Sequence, residues 1–221
     1  MIPLSLGMEA LSMLPDRIDY SLYVCTDRDL MSSQTIEESV EKALKGGAGI
    51  IQLREKSISG RGFYEEAKAV HEITKRYGVP LIINDRVDIA LAIGAEGVHV
   101  GQSDIPCSAV RKIVGKDMLV GVSASSVEEA VKAVEDGADY LGVGAMNPTA
   151  TKTDADSVTM EELVAIRKAV TIPIVIIGGI NKETAPRYKG LGIEGIAVVS
   201  AVVSSPDPEK SAKELKELWL S

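Results

Sequence analysis

The 221-residue chain is 45% hydrophobic and 25% charged, the proportions of a globular protein that can bury a core. Its 32 acidic residues outnumber 24 basic ones, giving a formal charge of −8 that would not draw it to nucleic acid or to an anionic membrane. Any anionic ligand must therefore be held by a local cluster of cations working against the overall field.

In chain order, Met1 to Tyr20 has apolar patches but neither a basic leader nor a run long enough to span a bilayer. An amphipathic helix around Leu6 to Leu14, covering one end of the fold, is the expected use of this extension (residues 1–19). Short apolar runs follow at Ser21–Cys25, Ile50–Leu53, Leu81–Ile83, Gly97–Val100, Met118–Val122, Tyr140–Val143, Ile174–Ile177 and Gly195–Val199. Between them lie helical patterns such as Thr35–Lys45, Gly62–Tyr77, Val127–Asp136, Met160–Ala169 and Pro208–Leu220. The only cysteines, Cys25 and Cys107, have no metal-ligand spacing and read as reduced core residues of a cytoplasmic protein. No linker divides the chain, so one domain spanning 1–221 is expected.

Strands alternating with helices imply parallel pairing through helical crossovers, in a closed barrel or an open doubly wound sheet. A repeated phrase favours the barrel. Gly47-Ala48-Gly49-Ile50, Gly94-Ala95-Glu96-Gly97, Gly137-Ala138-Asp139-Tyr140 and Gly192-Ile193-Glu194-Gly195 precede the second, fourth, sixth and eighth strands. Each pairs a helix-ending glycine with a strand start, as a quarter-repeated α/β barrel of the (β/α)8 TIM type would. An open nucleotide-binding sheet would instead carry a glycine-rich turn after its first strand, where Thr26-Asp27-Arg28-Asp29 stands.

In such a barrel the site is built from the C-terminal strand ends. Strand alternation puts Gln52, Arg54 and Lys56 on one side and Ile51 and Leu53 on the other. Two permanent cations there form either an anion site or a solvated cluster. Asp85 and Asp104, on the next two strand ends, suit a divalent cation such as magnesium; a helix cap for Asp85 and a turn residue for Asp104 are the alternatives. Gly178-Gly179 and Ser200 on neighbouring strands suggest a phosphate cup, or simply turn glycines. Thr149-Ala150-Thr151-Lys152 falls in the longest strand–helix loop, where a polar lid or a solvated loop would sit. His71 reads as a surface residue on a charged helix and His99 as an inward, hydrogen-bonded core group. No Ser-His-Asp, Cys-His or paired-histidine metal arrangement is evident.

Five motifs in order, Gln52-Leu53-Arg54-Glu55-Lys56, Asn84-Asp85, Gly97 through Asp104, Pro148 through Lys152 and Ile177-Gly178-Gly179-Ile180, closely resemble the thiamine-phosphate synthase family. The resemblance implies a (β/α)8 barrel that joins a hydroxymethylpyrimidine diphosphate to a hydroxyethylthiazole phosphate, giving thiamine phosphate and diphosphate. It puts Gln52, Leu53, Arg54, Glu55, Lys56, Asn84, Ser123 and Lys152 on the pyrimidine diphosphate, with Arg54, Lys56, Lys152 and Ser123 as the catalytic set. It assigns Thr149, Ala150, Thr151, Gly179, Val199 and Ser200 to the thiazole phosphate, and Asp85 and Asp104 to Mg2+. Two departures from the family pattern, Ser125 in place of a histidine and Asn147 in place of a bulky apolar or aromatic residue, bear on substrate fit. The implied partners are these small molecules, with self-association open and no nucleic acid or membrane.

The chemistry agrees with the resemblance. A thiazole ring nitrogen is already a nucleophile with no proton to lose, so a dedicated base is not needed. The demanding event is diphosphate departure, which cations and a metal would assist. A thiazole tautomerase on the same scaffold is disfavoured by Ser125 and by the presence of the Thr-x-Thr-Lys loop. A regulatory phosphate-binding barrel is disfavoured because one phosphate requires none of Asp85, Asp104 or Lys152.

Overall fold

The computed structural model describes residues 18–147 and 157–221. Its strands are β1 (Leu22–Cys25), β2 (Ile50–Leu53), β3 (Leu81–Asn84), β4 (Gly97–Val100), β5 (Leu119–Ala124), β6 (Tyr140–Val143), β7 (Ile174–Ile176) and β8 (Gly195–Val198). Each pairs in parallel with the next, and β8 returns to β1, so the barrel closes. The covering helices are α1 (Ile36–Lys45), α2 (Gly60–Tyr77), α3 (Val87–Ile93), α4 (Cys107–Val114), α5 (Val127–Glu135), α6 (Met160–Ala169), α7 (Ser200–Val203) and α8 (Pro208–Leu220). The short helices α3 and α7 and a 3-10 turn at Ala185–Tyr188 are too brief to leave a periodic signal, which is why pattern reading favoured the longer ones. The helix expected around Leu6 to Leu14 lies outside the described residues.

Period-two alternation sorts the strand residues. Ile51, Leu53, Leu81, Ile83, Val98 and Leu141 point outward and pack under the helices, while Tyr23, Ile50, Ile82, Leu119, Tyr140 and Val175 fill the barrel interior. Helix starts are set by side-chain caps: Thr35, Ser59, Ser126 and Thr159 each accept the backbone N–H three residues on. Both cysteines are free and buried, and burial pushes the Cys25 thiol up to about 12.

The repeated phrase has a physical content. Gly47, Gly94, Gly137 and Gly192 all take positive φ, between 67° and 95°, which L side chains rarely adopt. Two residues on, an acid staples the barrel floor. Glu96 accepts the Leu81 N–H (2.9 Å), Asp139 the Val120 N–H (2.7 Å) and Glu194 the Ile174 N–H (2.8 Å). Each acid also meets a basic side chain from the helix that leads into the stapled strand: His71 of α2, Arg111 of α4 and Arg167 of α6 respectively. The first repeat has Gly49 instead, because a Cβ there would lie 2.8 Å from the Asp19 carboxyl carbon. Asp19 takes the acid's place, accepting the Ser21 N–H at 3.0 Å and pairing with Lys216 of α8 at 2.8 Å. His71 is thus not a surface residue. It is 2% exposed and hydrogen-bonded to Glu96 at 3.0 Å, because it falls on the α2 face that carries Phe63, Ala67 and Val70 inward.

Candidate active site

The C-terminal strand ends enclose a cavity of about 590 Å3. Gln52, Arg54, Lys56, Asn84, Asp85, Asp104, Ser123, Gly179, Val199 and Ser200 all line it. Arg54 follows β2; its backbone N–H donates to Thr26 Oγ1 at 3.0 Å and its guanidinium lies 3.7 Å from Asp27. Lys56 pairs with Asp85 across the ends of β2 and β3. Two cations thus share one mouth in a chain of net negative charge, which a solvated cluster would not require.

Asp85 sits in a left-handed backbone, φ +62°. Helix α3 takes Arg86 as its N-cap residue and has no side-chain cap, so the capping alternative for Asp85 fails. Asp104 Oδ2 accepts the Gly101 N–H at 2.8 Å, so its turn role is real and coexists with its place in the cavity wall. The two carboxylates are hard oxygen donors, and among the described residues no group of three or more His, Cys, Asp or Glu could hold a metal. That set fits a magnesium ion whose remaining ligands are water and phosphate oxygens, and fits a protein-caged metal poorly.

On the opposite side Gly178 and Gly179 take φ of 98° and 59°. A Cβ on Gly178 would lie 2.7 Å from the Ala145 backbone, so glycine is required by space as well as by φ. Asn147 Nδ2 donates to the Gly178 carbonyl at 3.1 Å and Thr184 Oγ1 donates to that of Gly179 at 2.9 Å, which fixes the turn. Val199 and Ser200 open α7 beside it.

Two expected contacts face elsewhere. Leu53 is fully buried in the outer shell, as alternation demands of the residue after Gln52, so its side chain cannot meet a ligand in the cavity. Glu55 turns outward and joins Arg28 and Glu66. Burial raises the Glu66 carboxyl to about 7, with the neighbouring Glu55 carboxylate pushing the same way and Arg28 opposing both. Thr149, Ala150, Thr151 and Lys152 lie outside the described residues.

The cavity also takes residues to which no ligand role was assigned, and His99 among them is the inward, hydrogen-bonded group expected from sequence. Tyr23 and His99 line its floor, beneath which Tyr140 is buried. His99 bonds to Ser123 Oγ at 3.0 Å and to the Tyr140 hydroxyl at 3.1 Å; Tyr140 meets the Tyr23 hydroxyl at 2.9 Å, and Gln52 Nε2 donates to Tyr23 at 2.8 Å. The available signal was positional: in each strand these residues alternate with outward apolar ones.

An eight-stranded barrel with this charged mouth defines an enzyme of the (β/α)8 class. Residues 22–202 match the family model described as thiamine monophosphate synthase. The chain belongs to that family, and it is a transferase of thiamine biosynthesis that forms thiamine phosphate. It is 60% identical to the thiamine-phosphate synthase of Clostridium beijerinckii over 204 residues, covering 92% of this chain and 98% of that one. The Clostridium botulinum thiamine-phosphate synthase is 56% identical over 204 residues, covering 92% and 96%. The solved thiamine phosphate pyrophosphorylase of Pyrococcus furiosus superposes with a TM-score of 0.85 at 41% identity, covering 92% and 96% of the two chains. No helix among the described residues is long and apolar enough to cross a membrane.

Proposed function

We propose that the chain joins 4-amino-2-methyl-5-hydroxymethylpyrimidine diphosphate to 4-methyl-5-(2-hydroxyethyl)thiazole phosphate, or to its carboxylated form with loss of CO2, and releases diphosphate. The observation that carries this reading is the convergence of Arg54, Lys56, Asp85 and Asp104 on one cavity. Arg54 and Lys56, with Lys152, bind the diphosphate and neutralise the charge that builds on it as its bond to the pyrimidine methylene carbon breaks. Asp85 and Asp104 would hold Mg2+, which when bound supplies further positive charge to the leaving group. Gln52, Asn84 and Ser123 orient the pyrimidine diphosphate; Leu53 and Glu55 can contribute only their backbone.

Gly179, Val199 and Ser200, with Thr149, Ala150 and Thr151, hold the thiazole phosphate so that its ring nitrogen faces the methylene carbon. The nitrogen lone pair forms the new C–N bond and no proton is lost, so positioning and charge neutralisation carry the reaction. Purified protein supplied with magnesium and both substrates should release diphosphate, and EDTA should suppress the release. Absence of turnover under those conditions would overturn the substrate assignment.

A further inference from the structure

Five side chains under the cavity form one unbroken line of hydrogen bonds: Gln52, Tyr23, Tyr140, His99 and Ser123. Its direction follows from counting protons. Gln52 Nε2 can only donate, so the Tyr23 oxygen accepts there. Tyr23 and Tyr140 keep their phenolic protons, since complete burial drives both well above the usual tyrosine range. The hydroxyl proton of Tyr23 goes to Tyr140, its other hydrogen-bond partner among the described residues, and that of Tyr140 then goes to His99 Nδ1. Nε2 must accordingly carry the imidazole hydrogen and donate to Ser123 Oγ. The Ser123 hydroxyl proton is left pointing along the line's open end, into the cavity.

Reversed, the line fails. A hydrogen on Nδ1 would donate to Tyr140, Tyr140 to Tyr23, and the buried Tyr23 proton would face the N–H of Gln52. With the Gln52 amide turned to present Nε2 to Tyr23, a buried donor left unpaired disfavours the reversed line and selects one direction. The far end agrees: phosphate oxygens accept only, so a serine that meets one must donate.

The barrel makes room for this line at one residue. In the strand register Gly121 of β5 lies level with His99 of β4 and with Tyr140 of β6. A Cβ there would fall 2.3 Å from the Tyr140 hydroxyl and 2.4 Å from His99 Nδ1. Glycine is what lets two side chains from non-adjacent strands bond across the strand between them.

We propose that Tyr140 and Tyr23 are positioning residues that hold His99 as the neutral Nε2–H tautomer, so that Ser123 presents its proton to an anionic ligand; only the Ser123 end rests on the substrate reading above. Nitrogen-15 NMR of the full chain, labelled at its two histidines, reads the tautomer without substrate. The signals that move in Tyr140→Phe belong to His99. In the unmodified protein they should show an unprotonated Nδ1 and a protonated Nε2; Tyr140→Phe should mix the tautomers. It should also lower kcat roughly tenfold with KM for the pyrimidine diphosphate within about twofold.

Gly121→Ala, which leaves every hydroxyl in place, should reproduce both effects. His99→Gln, with an amide N–H near the reach of Nε2, should retain about tenfold more activity than His99→Asn, and this comparison holds even where Tyr140→Phe does not fold. A protonated Nδ1 in the unmodified protein, unchanged kcat in a folded Tyr140→Phe, or Asn matching Gln at position 99 would each overturn the proposal. The expected tautomer in a protein that makes no product would uphold the line and sink the substrate assignment instead.

Discussion

Lys56 and Asp85 form an ion pair across the tips of β2 and β3, and Asp85 reaches it from a backbone at φ +62°. A non-glycine residue there stores roughly 1–3 kcal/mol of strain, less for Asp or Asn than for bulkier residues. The pair itself returns little, because the Lys56 side chain is half exposed and such contacts contribute about 0–1 kcal/mol. Stability therefore does not explain an aspartate at this position, whereas a carboxylate that shares one cavity with Arg54, Lys56 and Asp104 does.

The first prediction separates those roles. Asp85→Asn tolerates the same backbone and should stay within about 1 kcal/mol of the unmodified stability in urea unfolding. Its activity should fall by roughly 100-fold or more, the scale of losing one electrostatic contact to developing charge. Near-normal turnover with unchanged magnesium demand would reduce Asp85 to a turn residue.

At the barrel floor, burial should decide which acid staple matters. The Glu96 side chain is 10% exposed and bridges the Leu81 N–H and His71, whereas Glu194 is 39% exposed. Glu96→Ala leaves a buried amide and a buried imidazole without their partner and should cost about 3–5 kcal/mol. Glu194→Ala should cost about 1 kcal/mol, since water can replace the lost carboxylate. Thermal unfolding of the two variants checks the order, and equal losses would contradict the burial account.

These staples also show what was legible in sequence and what was not. Strand positions, barrel closure and the repeat glycines follow from alternation and spacing, which are local properties of the chain. The mouth was legible because charge at a strand end is conspicuous against an apolar run. His99 is legible as an inward, hydrogen-bonded group, but its partners, and the roles of Tyr23 and Tyr140, are not, because a polar tip inside a barrel has meaning only through partners on other strands, 117 residues away for Tyr23 and Tyr140. The burial of His71 is hidden in the sequence for the same reason: its partner Glu96 is 25 residues on and reads there only as one letter of a repeat.

Glu66 supplies a pH prediction. Its carboxyl titrates near 7 in the folded chain against an ordinary 4.5, chiefly through burial and then through Glu55. A raised folded pKa means the folded state binds the proton more tightly, so this contribution to stability is full below about 4.5 and is lost as pH rises through about 7. Glu66→Gln cannot lose that proton and can still accept from Arg28. The melting temperature of the Gln variant minus that of the unmodified protein should therefore climb between pH 4.5 and 7 and level off above. A flat difference would show that Arg28 compensates both carboxylates fully.

The last prediction concerns the glycine turn after β7. Gly178 combines φ +98° with backbone 2.7 Å from where a Cβ would sit, so Gly178→Ala must both strain its own backbone and displace Ala145. The combined cost should be about 2–4 kcal/mol, read as a lower melting temperature. Displacement of the turn also moves the Gly179 amide beside Val199 and Ser200, while Arg54, Lys56, Asp85 and Asp104 stand on the far strands. KM for the thiazole phosphate should accordingly rise about tenfold or more, and KM for the pyrimidine diphosphate should change by less than about twofold. A rise confined to the pyrimidine diphosphate would mean that the glycine turn serves the other substrate.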